Sequence, residues 1–330
     1  MRIGVIGVGR MGKVHASSLT SMDGVDVLIT DADRERAQEV GRELSVEVAG
    51  EVDELLGASD AVVVAAATDA HADLIHAAAD TGLPTFCEKP ISLDLESTVE
   101  VVAHVEKSGI RFMMGFQRRF DPGYMAARDL VQGGELGTVY VVRMAGHDPA
   151  PPHEAYIASS GGIFRDFSVH DFDALRFVTG QEVVSVYAEG DVIAFPVFRK
   201  YDDVDTAGVV LRLSGGSLGI LSVTRHDPLG YDIRMELIGS RDSVAVGWDG
   251  RTPLRSLEPG ASAPASRPYQ DFQDRFKDAY RAEMAHFIEV AAGRKESPCT
   301  AQDALEALRI AVACDRSRAE RRPVALEEVA

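Results

Sequence analysis

The chain has 330 residues, 45% of them hydrophobic and 26% charged, and a formal net charge of −18. That is longer than one hydrophobic core usually supports, so two folded domains are expected rather than one domain or a disordered chain. The acidic balance repels phosphate backbones and anionic lipid heads, and no apolar stretch reaches the about 18 residues of a bilayer span, so nucleic acid and membrane partners are not expected.

From Met1 the chain runs straight into a strand pattern, Ile3–Val8, without the longer apolar region of a secretory signal, so no leader is expected. The three cysteines, Cys87, Cys299 and Cys314, are odd in number and show no metal-ligand spacing, so a reducing, cytoplasmic setting is expected. Strand and helix patterns then alternate: Lys13–Met22, Val25–Thr30, Arg34–Leu44, Ala61–Ala66, His71–Thr81, Pro84–Cys87 and Leu95–Ser108. Such alternation predicts a doubly wound parallel sheet with crossover helices on both faces. The run Ala61–Ala67 has no polar alternation, as expected of a central strand.

The texture changes after Phe112–Phe116, and a boundary near Arg118 gives domains 1–118 and 119–330. Beyond it, Val183–Ala188, Ala207–Leu213, Ser217–Arg225 and Arg234–Ile238 show period-2 or β-rich character, and Ser214-Gly215-Gly216 reads as a hairpin turn. The second domain is therefore α/β with a largely antiparallel sheet. Phe276–Ala292 and Thr300–Arg318 read as two closing helices, and Pro259–Ser266 as a surface loop.

Gly7-x-Gly9-x-x-Gly12 follows an apolar strand and opens a helix, the context in which this pattern cradles a dinucleotide. Gly7 permits the turn, Gly9 lets backbone approach a pyrophosphate, and Gly12 lets the helix pack close; the helix N-terminus then offers N–H groups and partial positive charge to the phosphates. Asp31, at the end of the second strand, suits the ribose hydroxyls and repels a 2′-phosphate, so NAD is expected, with Arg34 and Arg36 keeping NADP as the alternative. Asp31 can also be read as a helix cap, a task for which Asp33 is better placed.

Glu88-Lys89-Pro90 follows a strand at the carboxyl edge of the parallel sheet. A lysine there can donate to a substrate hydroxyl and stabilise an alkoxide, or can be an ordinary solvated lysine. In Gly161–Asp173, the spacing of Asp166 and His170 puts a carboxylate and an imidazole on one helical face. His170 is the best candidate base for a hydroxyl proton, and the bland alternative is an exposed helix ion pair. His147 leaves a predicted strand into the stiff Asp148–Pro152 loop and can donate to a polyol hydroxyl; His153 reads as a solvated loop residue. No metal is needed, because hydride transfer can run on acid–base groups and nicotinamide.

Together these motifs resemble the Gfo/Idh/MocA oxidoreductases, and within them the inositol 2-dehydrogenases. The resemblance rests on Gly7–His15, Glu88-Lys89-Pro90, Gly115–Asp121, Ser160–Asp166 continuing to His170–Asp173, and Ala279–Glu283, and covers essentially the whole chain. It implies a Rossmann domain followed by an α/β domain whose open sheet mediates dimers and tetramers. It makes Lys89, Asp166 and His170 the catalytic group, and Gln117, His147 and Tyr231 substrate-contacting. On the cofactor side it implies Gly7, Gly9, Arg10, Met11, Gly12, Asp31, Thr68, His71, Glu88 and Lys89. The expected reaction is NAD-dependent oxidation of a polyol ring hydroxyl, myo-inositol first, with scyllo-inositol or an aldose as alternatives, at the domain cleft. A silent nucleotide-binding regulator is the reading from another class. Two positions depart from the family pattern: Gln117 varies among subfamilies, and Ala66-Ala67-Thr68 replaces a proline-containing turn.

Overall fold

A computed structural model describes residues 1–261, 263 and 265–329. Chain contacts divide it into two units, 1–120 with 278–306, and 121–277 with 307–330. The first break lies two residues from the expected one. The second difference is larger: residues 278–306 pack with the first unit although the sequence places them after the boundary. They span the end of one long helix, the turn after it and the start of another, whose apolar faces carry no mark of which core they join.

In the first unit, β1 (Arg2–Ile6), β2 (Asp26–Thr30), β3 (Glu47–Val48), β4 (Ala61–Val64), β5 (Thr85–Glu88) and β6 (Phe112–Gly115) form one parallel sheet in the order β3-β2-β1-β4-β5-β6. The crossovers carry α1 (Arg10–Thr20), α2 (Arg34–Leu44), α3 (Val52–Gly57), α4 (Thr68–Asp80) and α5 (Leu95–Ser108). No element is expected between Leu44 and Ala61; β3 and α3 are too short there to show a period. The continuous apolar run at β4 is explained by complete burial of Ala61, Val62, Val63 and Val64 on both sides of a central strand. Because the order reverses between β1 and β4, the carboxyl ends of those two strands open a crevice of the kind that receives nucleotides.

The second unit begins with α6 (Pro122–Gln132) and β7 (Val139–His147), followed by α7 (Glu154–Ser160), a π-helical turn (Ile163–Ser168) and α8 (Val169–Thr179). Strands β8 (Val183–Asp191), β9 (Thr206–Leu213), β10 (Leu218–Thr224), β11 (Asp232–Gly239) and β12 (Ser243–Val246) complete the middle of the unit. Helices α9 (Phe272–Ala291) and α10 (Ala301–Glu320) each cross from one unit's residues to the other's, and β13 (Val324–Ala325) ends the sheet. The sheet order is β12-β11-β7-β10-β9-β8-β13. Its pairs are antiparallel except β7–β10, which run parallel, so the expected sheet is found with one parallel seam. The β9–β10 hairpin turns at Ser214–Gly216 as predicted.

Helix α8 packs on one face of this sheet, against β7. On β9, Ala207, Val209, Leu211 and Leu213 are buried and Gly208, Val210 and Arg212 are exposed, so the opposite face is open. No helix among the described residues is long and apolar enough to cross a membrane. The predicted loop Pro259–Ser266 includes Ser262 and Pro264, which lie outside the described residues.

Candidate active site

At the carboxyl end of β1 the chain turns through Gly7, whose φ of +86° favours glycine and where a Cβ would stand 2.5 Å from the Ala66 backbone. A Cβ on Gly12 would stand 1.8 Å from the Gly7 carbonyl oxygen, so α1 can lie this close to the turn without a side chain alone. Around Gly9 there is open space to 4 Å. Gly9 is also the N-cap of α1 and makes no side-chain cap, so the helix end, beginning at exposed Arg10 and half-buried Met11, keeps its partial positive charge for a ligand. The residues fit a pyrophosphate: tight where protein meets protein, with space beside Gly9 for a phosphate.

Asp31 accepts the Val8 amide on Oδ2 at 2.8 Å and the Asp33 amide on Oδ1 at 2.9 Å, fixing its carboxylate beside the glycine turn. Arg36 reaches the same carboxylate at 3.2 Å. The cap of α2 is Asp33, which accepts the Arg36 amide, so Asp31 is not the cap. Thr68 opens α4 after β4, with no side-chain cap from Ala67.

Glu88 ends β5 and half-buried Lys89 follows it, on the same sheet edge as the glycine turn. The Glu88 carboxylate is held by His15 Nε2 at 2.6 Å and accepts the Lys89 amide at 3.2 Å. His15 is fully buried on α1, and Glu283 of α9 brings a carboxylate into the same cluster. Glu88 therefore ties the lysine backbone to α1. The His71 ring is buried on α4, with Nδ1 2.8 Å from the Pro90 carbonyl and Nε2 3.1 Å from the Ala66 carbonyl. Its two nitrogens thus lie against backbone carbonyls of the segments that follow β4 and β5. Burial holds its pKa below the ordinary imidazole value. Gln117 is buried just past β6, the strand that pairs with β5 through Gly115 and Glu88. Cys87 is a buried thiol whose pKa burial pushes up, an inert strand-end residue.

In the second unit, Gly161 and Gly162, both at positive φ, break the chain out of α7 into the π turn. Asp203 accepts the Ile163 amide at 2.9 Å and secures the start of that turn. Asp166 lies in it, 8% exposed, and half-buried His170 lies in the first turn of α8. The expected pair is thus carried on one continuous helical run, wound wider at its start than an α-helix. The Asp166 carboxylate accepts the Tyr156 hydroxyl at 2.7 Å and the Arg225 guanidinium at 3.0 Å. Neither partner is signalled by the sequence, because Tyr156 precedes the glycines on another helix and Arg225 follows β10.

His147 is not brought to this pair. A Cβ on the preceding Gly146 would lie 3.1 Å from Asp171 Oδ2 and 3.6 Å from Phe167, so the face toward the helix belongs to residue 146. His147 takes the opposite face, with Nε2 3.1 Å from the Ser222 hydroxyl and Nδ1 3.7 Å from Asp227 and Asp232. The residue from this strand end that does connect with Asp166 is Asp148, through Arg225 at 3.2 Å. Tyr231 is buried immediately before β11, its amide bonded to the Tyr269 carbonyl.

Comparison with known proteins agrees with both halves. Residues 1–116 match the oxidoreductase family with an NAD-binding Rossmann fold, and residues 124–245 match the GFO/IDH/MocA C-terminal domain. The chain is 38% identical over 321 residues to a myo-inositol dehydrogenase of Streptomyces leeuwenhoekii, covering 96% of this chain and 97% of that one. It is 37% identical to the myo-inositol 2-dehydrogenase of Thermotoga maritima, with 100% and 99% covered. The crystal structure of scyllo-inositol dehydrogenase from Lactobacillus casei, with bound NAD(H) and scyllo-inositol, superposes with a TM-score of 0.89 at 28% identity over 99% of each chain. With both family models matched and full-length relatives in agreement, this chain belongs to the Gfo/Idh/MocA family of NAD-binding oxidoreductases.

Proposed function

We propose that this NAD-dependent oxidoreductase oxidises a ring hydroxyl of a cyclic polyol, myo-inositol to its 2-keto product, with Lys89, Asp166 and His170 as its acid–base group. The observation that carries the reading is the placement of Lys89. It follows β5, two strands from β1, so its backbone is about 10 Å from the glycine turn on the edge that binds the nucleotide. The relatives' names supply the substrate class, and a relative solved with scyllo-inositol makes that stereoisomer the second reading.

Lys89 donates to the reacting hydroxyl and stabilises the alkoxide as charge develops. A ring nitrogen of His170 takes the hydroxyl proton, and Asp166 supports the imidazolium that results. Bound NAD supplies the hydride acceptor. Gln117 and Tyr231 are the further substrate contacts that we propose. The test is NADH formation from myo- and scyllo-inositol by the purified protein. His170→Ala should lose about 10²- to 10⁴-fold in kcat with NAD binding retained, and wild-type turnover in that variant refutes the role.

We further propose that the chain assembles as a homo-oligomer in the cytoplasm. On the open sheet face, Tyr187, Val210 and Ile220 are cross-strand neighbours at 37%, 46% and 42% exposure, and Tyr140 is 54% exposed. An apolar row of this kind is usual at an interface between subunits. The cytoplasmic setting is supported by three free, buried cysteines.

A further inference from the structure

Asp166 is gripped from two directions, both within the second unit. The Arg225 side chain is 4% exposed; its Nη2 donates to Asp166 Oδ2 at 3.0 Å and its Nη1 to Asp148 Oδ2 at 3.2 Å. Its guanidinium also stands over the Phe167 ring, 5.4 Å from the centroid. The Tyr156 hydroxyl donates to the other oxygen, Asp166 Oδ1, at 2.7 Å. One donor would leave the carboxylate free to turn about its Cβ–Cγ bond. Two donors on different oxygens, from different elements, fix its plane.

A cation this deep is costly unless carboxylates surround it. Burial works against its charge, yet Asp166, Asp148 and Asp203 outweigh burial and raise the Arg225 pKa above its ordinary value. A lysine would not replace it, because an ammonium is a point charge whereas the planar fork reaches two carboxylates in set directions. Tyr156 differs in kind. It stands 41% exposed on α7, and its ring needs no hydroxyl to stay where it is.

We propose that Arg225 and Tyr156 are positioning residues that act through Asp166, fixing the orientation in which that carboxylate supports His170. The proposal rests on the reading of Asp166 and His170 as part of the acid–base group. Asp148, tied to the same guanidinium, holds Arg225 in place from the end of β7.

The test is a pair of double-mutant cycles on the full-length enzyme with NAD and whichever inositol the wild type oxidises. Tyr156→Phe should lower kcat about 3- to 10-fold and Arg225→Lys about 10- to 100-fold, with KM for NAD unchanged, as expected when a reacting group is misplaced. In an Asp166→Asn background neither change should cost more than about 2-fold, because the residue through which both act has already lost its function. Full-sized losses in that background, or wild-type kcat in both single variants, overturn the proposal. Tyr156→Phe removes one oxygen from a half-exposed ring, so its cycle decides the matter if Arg225→Lys does not fold. Wild-type turnover in Asp166→Asn itself overturns the underlying reading. A crippled Asp166→Asn beside unaffected Tyr156→Phe and Arg225→Lys overturns the positioning role alone.

Discussion

Gly9 and Gly12 belong to the same motif, but the structure predicts opposite consequences for adding one methyl group to each. Gly9 has φ −64° and ψ −158°, extended backbone open to any residue, and nothing lies within 4 Å of its would-be Cβ. Gly9→Ala should therefore leave the unliganded protein as stable as before or about 0.4–1 kcal/mol more so, through the unfolded chain. The new methyl occupies the space a pyrophosphate needs. Losing one charge-assisted bond to it costs about 1.5–3 kcal/mol, or about 10- to 150-fold in NAD affinity. At an NAD concentration of about 100 times the wild-type Kd, bound cofactor adds about 2.7 kcal/mol to the wild type. With Kd raised about 100-fold the same NAD adds about 0.4 kcal/mol. For a unit of this size that is about 5–10 °C of NAD-induced rise in Tm against about 1–2 °C. Gly12→Ala should do the reverse, lowering Tm before NAD is added, because its Cβ would lie 1.8 Å from the Gly7 carbonyl oxygen. Thermal unfolding with and without NAD reads both. A Gly9→Ala protein with wild-type NAD stabilisation, or one destabilised without NAD, refutes the assignment of that space to the cofactor.

Asp31→Ser should weaken NAD about 10- to 150-fold by removing a charged acceptor, and should shift the kcat/KM ratio toward NADP as Arg36 loses one of its two carboxylate partners, Asp31 and Asp33; an unchanged NADP/NAD ratio counts against the ribose-side role. The lowered pKa of His71 makes stability pH-dependent. Below about pH 6.5 the unfolded imidazole takes a proton that the folded one resists, so stability falls with pH by at most about 1.4 kcal/mol per unit. His71→Gln should flatten that part of the urea-midpoint profile, and equal slopes in the two proteins would remove His71 as its source. Val210→Asp puts a charge into the apolar row of the open sheet face and should lower the mass seen by light scattering, whereas an unaltered mass would place the subunit interface elsewhere.

What could be read from the sequence was local. Gly7, Gly9 and Gly12 carry their meaning in their spacing and in the strand before them, and the structure gives each the space its place in the motif implies. The buried run at β4, the Ser214–Gly216 turn and the two closing helices are likewise set by neighbours in the chain. The fold was less legible where an element is brief, as at β3 and α3, or where a partner is distant. Residues 278–306 are the end of α9, the start of α10 and the turn between them, and the sequence offers no sign of the core they join. The π turn is hidden too: Asp166 and His170 are spaced for an α-helix, and the wider winding follows from two positive-φ glycines and from Asp203, forty residues on in the loop before β9.

His147 and Arg225 show why a residue's chemistry does not settle where its side chain points. A histidine at a strand end beside a proline-stiffened loop has the right groups for a polyol, but a strand alternates faces at every residue. The neighbouring glycine already meets Phe167 and Asp171, so the imidazole must face the other way, toward Ser222. Arg225 gives the converse case. It sits in a stretch, Thr224-Arg225-His226, with nothing to distinguish it, yet it is buried against carboxylates from three separate segments. Burying a guanidinium is unfavourable in any fold that does not supply those carboxylates. Its burial is therefore evidence about Asp148, Asp166 and Asp203 as much as about itself: they must lie where the guanidinium needs them, and the Asp166 carboxylate inherits that constraint.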